Sequence, residues 1–261
     1  MIIDKGIFER EEKLMESSQV EGNLDIKSEI ALILPTYCEA ANIEKLILEL
    51  EHSDLNVSIL VIDDSSPDGT AGIVRKLQKT YRNVLLLVRE KKLGLGTAIT
   101  DGFKAILSMK YPPKCIVTMD ADYSHNPKEI PKLLAPVRKG CDLVVGSRYV
   151  QGGGTREWSI GRMVISKVAN LITKVRIDAK ISDYTSGMRC YSTRLVRGII
   201  ADLHSQTYEI QIETIRQANA RGYKISEEPI VFVNRKKGKS KLSINEIRDF
   251  LSYILSLNRK Y

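Results

Sequence analysis

Asp120 and Asp122 in VTMDADYSHNP follow directly on the apolar run Cys115 to Met119, with only the small Ala121 between them. Two carboxylates at the end of a strand can grip one hard divalent cation. Mg²⁺ or Mn²⁺ takes oxygen ligands and bridges readily to a diphosphate, whose leaving charge it offsets. An isolated D-x-D also occurs in ordinary solvated turns, so the weight of this pair comes from its context. A second acidic turn, VIDDSSPDGT, follows another apolar run. Asp63 and Asp64 are expected to project onto the same rim, with Asp68 and Gly69 turning the chain. A third segment, LPTYCEAANIEKL, is expected to end the first strand at Pro35 and offers Tyr37 and Glu39. Tyr37 could stack on a base or brace a ribose. Glu39 could accept from a donor hydroxyl or ring nitrogen, and it also sits where a helix dipole favours an acid.

Cationic groups gather later in the chain. GSRY places Arg148 after a fifth apolar run, and Arg162 and Ser166 in GRMVIS are four residues apart. On a helix that spacing shares a face, so the two could grip one phosphate. FVNRKKGKSKLS puts Arg235, Gly238, Ser240 and Lys241 in a basic loop, which could fold over a diphosphate or simply be a solvated charge run. KKLGLGTAITDG superficially resembles a dinucleotide fingerprint, but Ile99 stands at the third glycine position and no acid follows at the expected later strand. A tight loop entering a helix, with Gly94 and Gly96 permitting close packing, is the better reading.

These segments need elements to position them. Apolar β-type runs at Ile30 to Leu34, Ser58 to Ile62, Val84 to Val88, Cys115 to Met119 and Asp142 to Val145 alternate with amphipathic stretches around Ile43 to Leu50, Thr70 to Tyr81, Gly96 to Met109 and Pro127 to Arg138. That alternation predicts an α/β fold with a mostly parallel sheet covered on both faces. Ligands of such sheets bind beyond the carboxyl ends of the strands, where the acidic segments fall. The spacing predicts further helices near Ser159 to Val175 and Tyr208 to Arg221 and a strand at Ile230 to Val233. Residues 1–28 read as a mobile extension, 29–242 as one domain, and 243–261 as an amphipathic helix facing a membrane or partner.

Composition bounds the class. The 261 residues are 43% hydrophobic and 28% charged, with 40 basic against 32 acidic side chains and a net charge of +8. This excludes a disordered chain and a multi-span membrane protein, and favours anionic partners. Cys38, Cys115, Cys141 and Cys190 are scattered and read as reduced thiols. No stretch approaches the ~18 apolar residues of a membrane span, and the first residues lack a signal-peptide core, so a cytosolic protein is expected. With only 6% aromatics there is little for base stacking, and no nucleic-acid partner is expected.

In this order, PTYCE, VIDDSSPDGT, KKLGLGTA, MDADYSHNP, GSRY, DYTSGMR and NRKKGKSKL resemble the dolichol-phosphate mannose synthases of glycosyltransferase family 2, from about Ile30 to Leu257. The resemblance implies a GT-A (Rossmann-like) fold and inverting transfer of mannose from GDP-mannose to dolichyl or polyprenyl phosphate, giving lipid-phosphate mannose and GDP. It implies a donor pocket of Pro35, Tyr37, Glu39, Asp64 and Asp120, with Arg235 and Lys241 on a loop that closes over it. It places Asp120, Asp122 and Ser124 around Mg²⁺ or Mn²⁺, and Arg148, Arg162 and Ser166 at the acceptor phosphate. Many bacterial and archaeal relatives append transmembrane helices. The present chain resembles the form that works peripherally on the cytoplasmic side of a membrane, in eukaryotes the endoplasmic reticulum, with small membrane subunits as candidate partners.

The acceptor so implied is a phosphate monoester, anionic near neutral pH, and needs no strong general base. Asp120, Asp122, Arg148 and Arg162 are therefore the candidate catalytic residues, acting by charge and orientation. A family 2 transferase using UDP-glucose or another acceptor is the nearest alternative. A sugar nucleotidyltransferase, consuming a sugar phosphate and a nucleoside triphosphate, is the rival from another class.

Overall fold

The computed structural model describes residues 20–177, 179–235, 250 and 252–256. Four apolar runs form parallel strands, β2 (Ile30–Thr36), β3 (Val57–Asp63), β4 (Val84–Val88) and β5 (Cys115–Thr118). Their side chains are buried on both sides, which is why they read as unbroken hydrophobic stretches rather than alternating ones. The even members of β2, Ile30, Leu32 and Leu34, meet α1 (Ile43–Glu51), α2 (Thr70–Gln78) and α4 (Ile130–Arg138) on one face. The odd members, Ala31 and Ile33, meet α3 (Leu95–Leu107), α6 (Thr193–Ile199) and α7 (Ile210–Ala220) on the other. A helix between them in sequence, α5 (Ile160–Arg176), buries only Ala169, Asn170 and Thr173.

The sheet runs β1-β4-β3-β2-β5-β8-β6-β9, where β1 is Val20–Glu21, β6 Leu143–Ser147, β8 Arg189–Ser192 and β9 Ile225–Pro229. Three features depart from the sequence reading. First, a strand that the apolar runs did not announce, β8, lies between β5 and β6, antiparallel to both. The sequence RCYS carries no long apolar run, and its strand character comes from the two strands that flank it. Second, Val20 and Glu21 pair with Leu87 and Leu86, so the domain reaches back before position 29. Third, Pro35 does not end β2, which continues to Thr36. Beyond Ile33 only β3 pairs with this strand, where Pro35 sits opposite Ile62.

The expected strand near Ile230 is β10 (Val231–Val233), which pairs with β7 (Gly154–Arg156) in a separate parallel ribbon. Of the C-terminal helix, Phe250 and residues 252–256 are helical, and the rest lies outside the described residues. No helix among the described residues is long and apolar enough to cross a membrane. The GLG loop approaches its neighbour very closely, since a Cβ on Gly96 would collide with the Ser205 carbonyl oxygen. The glycines thus let the start of α3 lie against the 205–206 backbone.

Candidate active site

The carboxyl ends of β2 and β3 are knitted together by short side chains. Thr36 Oγ1 donates to Asp63 at 3.0 Å, and Ser66 donates to the same carboxylate from its amide (2.9 Å) and its hydroxyl (2.6 Å). Asp63 is fully buried in this turn, so it does not reach the rim as expected. The pleat points it inward, as the last residue of β3. The loop carrying Tyr37 and Glu39 hangs on the same turn. The Cys38 amide donates to Ser66 Oγ, the Glu39 amide to Thr70 Oγ1 and the Ala40 amide to Asp68. Glu39 is buried and accepts from Asn42 Nδ2 at 2.8 Å, while the Tyr37 ring lies 5.3 Å from Lys92 Nζ.

Asp64 faces a buried partner that the sequence reading did not single out. Arg89 donates through Nε at 2.6 Å, and also reaches Thr97, Asp101 and the Gly94 carbonyl. Burial raises the Asp64 carboxyl above its ordinary range even against the Arg89 charge. Arg89 directly follows β4, so the strand-end rule that selected the aspartates would have selected it too.

The turn after β5 presents the two candidate metal carboxylates. Asp122 is nearly buried; it accepts the Ser124 amide at 2.9 Å and pairs with Arg235 Nη2 at 3.0 Å. Burial would raise its pKa, but Ser124 and Arg235 outweigh this and hold it below the ordinary range. The Asp120 side chain keeps 40% of its surface open. Desolvation pushes its pKa up, and Asp122 and Glu39 add to the rise against the Arg235 charge. Ser124 Oγ stands 3.5 Å from Asp120 Oδ2, so this residue orients both acids.

His125, also unflagged in the sequence, is buried behind this turn. Its Nδ1 accepts the Asp120 amide at 3.1 Å, which leaves the proton of a neutral ring on Nε2. Burial lowers the imidazole pKa and keeps it neutral. Gly187 closes the space from the other side. A Cβ there would lie 3.4 Å from Asp120 Oδ1, 3.5 Å from His125 Cε1 and 3.8 Å from Gln211 Nε2, so a side chain would fill the gap beside Asp120. His125 Nε2 and Gln211 Oε1 are buried without a hydrogen-bond partner among the described residues.

Opposite the acids stand the arginines. Arg148 follows β6 and is clamped by the fully buried Asp183, with Nε to Oδ2 and Nη2 to Oδ1 both 2.7 Å, and a further bond to Thr185 Oγ1 at 2.6 Å. Arg162 stacks 4.2 Å from the Trp158 ring centre and donates to Asn234 Oδ1 at 3.1 Å. Desolvation, then the positive charges of Arg235 and Arg148, push its pKa below the ordinary guanidinium value. Phe232 touches the rings of both His125 and Trp158, and the Arg148 and Arg162 guanidinium groups lie 5.8 and 5.6 Å from its centre. It therefore joins the acidic turn to the basic side. Ser166, one turn along α5 from Arg162, accepts from Tyr149 Oη at 2.7 Å.

The structure thus brings Asp120, Asp122, Ser124, Arg148, Arg162 and Arg235 into one cleft, while Asp64 is turned towards Arg89. Lys241, with Gly238 and Ser240, lies outside the described residues. Asp183, Thr185, Trp158 and Phe232 were not foreseen. Asp183 and Thr185 belong to the DYTSGMR segment, whose sequence does not say which way its polar side chains point.

Among the described residues no group of three or more His, Cys, Asp or Glu side chains forms a metal-binding set. Asp120 and Asp122 offer two carboxylates, one of them open to solvent, which fits a Mg²⁺-type ion that takes its remaining ligands from water and a substrate diphosphate.

Residues 31–200 match the family described as Glycosyl transferase family 2. Polyprenol monophosphomannose synthase of Mycolicibacterium smegmatis is 38% identical over 220 residues, covering 84% of this chain and 82% of its own. Undecaprenyl-phosphate mannosyltransferase of Micrococcus luteus is 36% identical over 215 residues, covering 82% and 87%. Glucosyl-3-phosphoglycerate synthase from Mycobacterium tuberculosis, solved with Mn²⁺, UDP and glucosyl-3-phosphoglycerate, superposes with a TM-score of 0.62 at 20% identity, covering 89% of this chain and 79% of that one. That likeness is one of fold, and the fold is GT-A.

Proposed function

The chain belongs to glycosyl transferase family 2, and from that premise we propose that this glycosyltransferase moves mannose from GDP-mannose to a polyprenyl or dolichyl phosphate, with inversion at the anomeric carbon. The observation that carries the reading is the meeting, across Phe232, of an acidic turn paired with Arg235 and the two arginines Arg148 and Arg162. A nucleotide sugar needs the first to hold its diphosphate through a cation, and a phosphate acceptor needs the second. The names of the mannosyltransferase relatives support mannose and a polyprenyl phosphate over other pairs.

In this reading Asp120 and Asp122 hold Mg²⁺ or Mn²⁺, with Ser124 fixing their orientation. A bound divalent cation would offset the charge that builds on the departing GDP. Pro35, Tyr37, Glu39 and Asp64 line the nucleotide side, and Arg235 with Lys241 covers the diphosphate. The space beside Gly187, bordered by Asp120, His125 and Gln211, takes the sugar. Arg148 and Arg162, assisted by Ser166, set the acceptor oxygen behind the anomeric carbon. Asp183 holds Arg148 rigid, so the guanidinium loses little freedom when it binds. A phosphate monoester is largely dianionic at neutral pH, with a second pKa of about 6, so no side chain has to take its proton. The acceptor being a lipid, the enzyme works at a membrane surface, on the cytoplasmic side where GDP-mannose is supplied, with or without small membrane subunits.

The test is to offer the purified protein labelled GDP-mannose or UDP-glucose with a polyprenyl phosphate and Mn²⁺, and to read the product's anomeric configuration by NMR. Transfer from GDP-mannose giving the β-linked product is expected from the α-linked donor. Transfer from UDP-glucose alone, or an α-linked product, would overturn the donor or the inversion.

A further inference from the structure

The two arginines of the basic side are held in different ways. Arg148 is neutralised by Asp183 at 2.7 Å and is closed in by the rings of Tyr149, Trp158 and Phe232, whose centres lie 5.4, 5.2 and 5.8 Å from it. Arg162 pairs with no carboxylate among the described residues. It is held by the neutral amide oxygen of Asn234 and by the Trp158 ring 4.2 Å away. One indole thus serves both guanidinium groups. A ring face attracts a cation through its quadrupole without cancelling the charge, as a carboxylate would. Arg162 therefore keeps its full positive charge for an incoming anion, and the shared ring keeps it near Arg148, from which like charge would drive it.

The chain fixes this ring through local structure. β7 ends at Arg156, and its ribbon partner β10 sets Phe232 opposite Thr155. Glu157 then takes a left-handed backbone conformation with φ 62°, uncommon for a residue with a long side chain. Such backbone persists where the surroundings over-determine it, often at ligand sites. Beyond this kink the Trp158 ring meets Phe232 at 75°, with centres 5.3 Å apart. Ser159, the next residue, caps α5 by accepting the Arg162 amide at 3.3 Å. Ring and arginine therefore belong to one short segment, with the indole just before the cap and the guanidinium in the first turn after it.

We propose that Trp158 is a positioning residue of the acceptor site: its indole sets the Arg162 guanidinium beside Arg148 and leaves that charge uncompensated for a phosphate monoester. The inference rests on the phosphate acceptor proposed above and divides its recognition between two residues. Arg148, rigid and already paired, supplies direction, and Arg162 supplies the charge. An acid in place of the ring would hold Arg162 as firmly but cancel its attraction for the acceptor. The ring also senses the acceptor, because an anion drawn to Arg162 changes the field across the indole.

Trp158 is the only tryptophan of the chain, so its fluorescence reports on this site alone. Titrating the full-length protein with farnesyl phosphate, a short prenyl phosphate, should give a saturable change in emission that Arg162→Gln abolishes. Transfer from GDP-mannose to the same acceptor is then compared across variants. Trp158→Leu should raise the acceptor KM roughly tenfold and leave the KM for GDP-mannose level, whereas Trp158→Phe, which keeps an aromatic face, should stay within about threefold of wild type. In the Trp158→Leu background Arg162→Gln should add little further loss, since the two residues act as a unit. No emission change, one that survives Arg162→Gln, or an unchanged acceptor KM in Trp158→Leu overturns the proposal. So do equal losses in the leucine and phenylalanine variants, which would assign the effect to something other than the ring face. A rise in the KM of both substrates overturns it as well, by making the residue a general support of the fold. An Arg162-dependent emission change with no mannosyl transfer to any prenyl phosphate would refute the proposed function and leave the anion site standing.

Discussion

The acidic and basic sides of the cleft are held by contacts of different range. On the acidic side each turn is closed by bonds near in sequence, since Asp122 accepts an amide two residues on, Asp63 a hydroxyl three residues on, and the Asp120 amide reaches His125 five residues on. Asp122 also pairs with the distant Arg235, and Asp63 with Thr36, 27 positions away. On the basic side Arg148 depends on Asp183 and Thr185, 35 and 37 positions away, and Arg162 on Asn234, 72 positions away. Turns shape the first wall, whereas the second exists only when β6, α5, the DYTSGMR segment and β10 are docked. Changes to the acidic side should therefore strike chemistry with little cost in stability, and changes to the supports of the basic side should strike both.

The largest effect expected is that of Asp122→Ala. Turnover should fall by ~10³-fold or more, beyond rescue by added Mn²⁺, with a smaller drop in melting temperature than that of Asp183→Asn, because Arg235 keeps access to solvent when its partner is removed. Near-normal activity in that variant would remove the carboxylate from the metal role and dissolve the contrast.

Asp183→Asn should be the reverse case. Removing one partner of a buried ion pair strands the other charge and costs about 3 to 5 kcal/mol. Acceptor kcat/KM should drop ~10 to 100-fold while the KM for the nucleotide sugar stays level. The pH dependence sharpens this. Burial works to raise the Asp183 carboxyl, but the Arg148 charge and hydrogen bonds outweigh it and hold the folded value below the ordinary one. Its stabilising contribution is then complete above the unfolded value of about 3.9 and is lost as pH falls through the lower, folded value. Wild-type melting temperature should decline more steeply than that of Asp183→Asn between about pH 5 and pH 2. Parallel curves would mean that the pair does not anchor Arg148.

Gly187→Val is expected to act through space alone, raising the KM for the sugar donor by roughly tenfold while leaving GDP binding intact, as a pocket filled on its sugar side should behave. A shift in GDP affinity would place the gap elsewhere. The smallest change belongs to Tyr149→Phe, which deletes the bond to Ser166 and should cost about 1 kcal/mol of stability and a few-fold in acceptor KM.

The contrast in range also explains what could be read beforehand. Strand ends select residues by local pattern, and that pattern located Asp120, Asp122, Glu39 and Arg148. It misplaced Asp63, because adjacent residues at a strand end face opposite ways and apolar spacing does not say which faces the rim. The strand β8 and the buried Arg189 escaped because neither is apolar. Arg189 lies fully buried and donates to the carbonyls of Tyr184 and Ser186 and to Thr214 Oγ1, so the polar DYTSGMR segment is pinned from inside by its own last residue. Arg162 and Ser166 were legible as an i, i+4 pair.

The division of labour between the two sides is tested most directly by calorimetric titration of GDP with and without Mn²⁺ in the wild type, Asp122→Ala and Arg148→Gln. The account expects a Mn²⁺-dependent gain in GDP affinity that Asp122→Ala abolishes and Arg148→Gln retains. A gain surviving in Asp122→Ala, or lost equally in both variants, would contradict it.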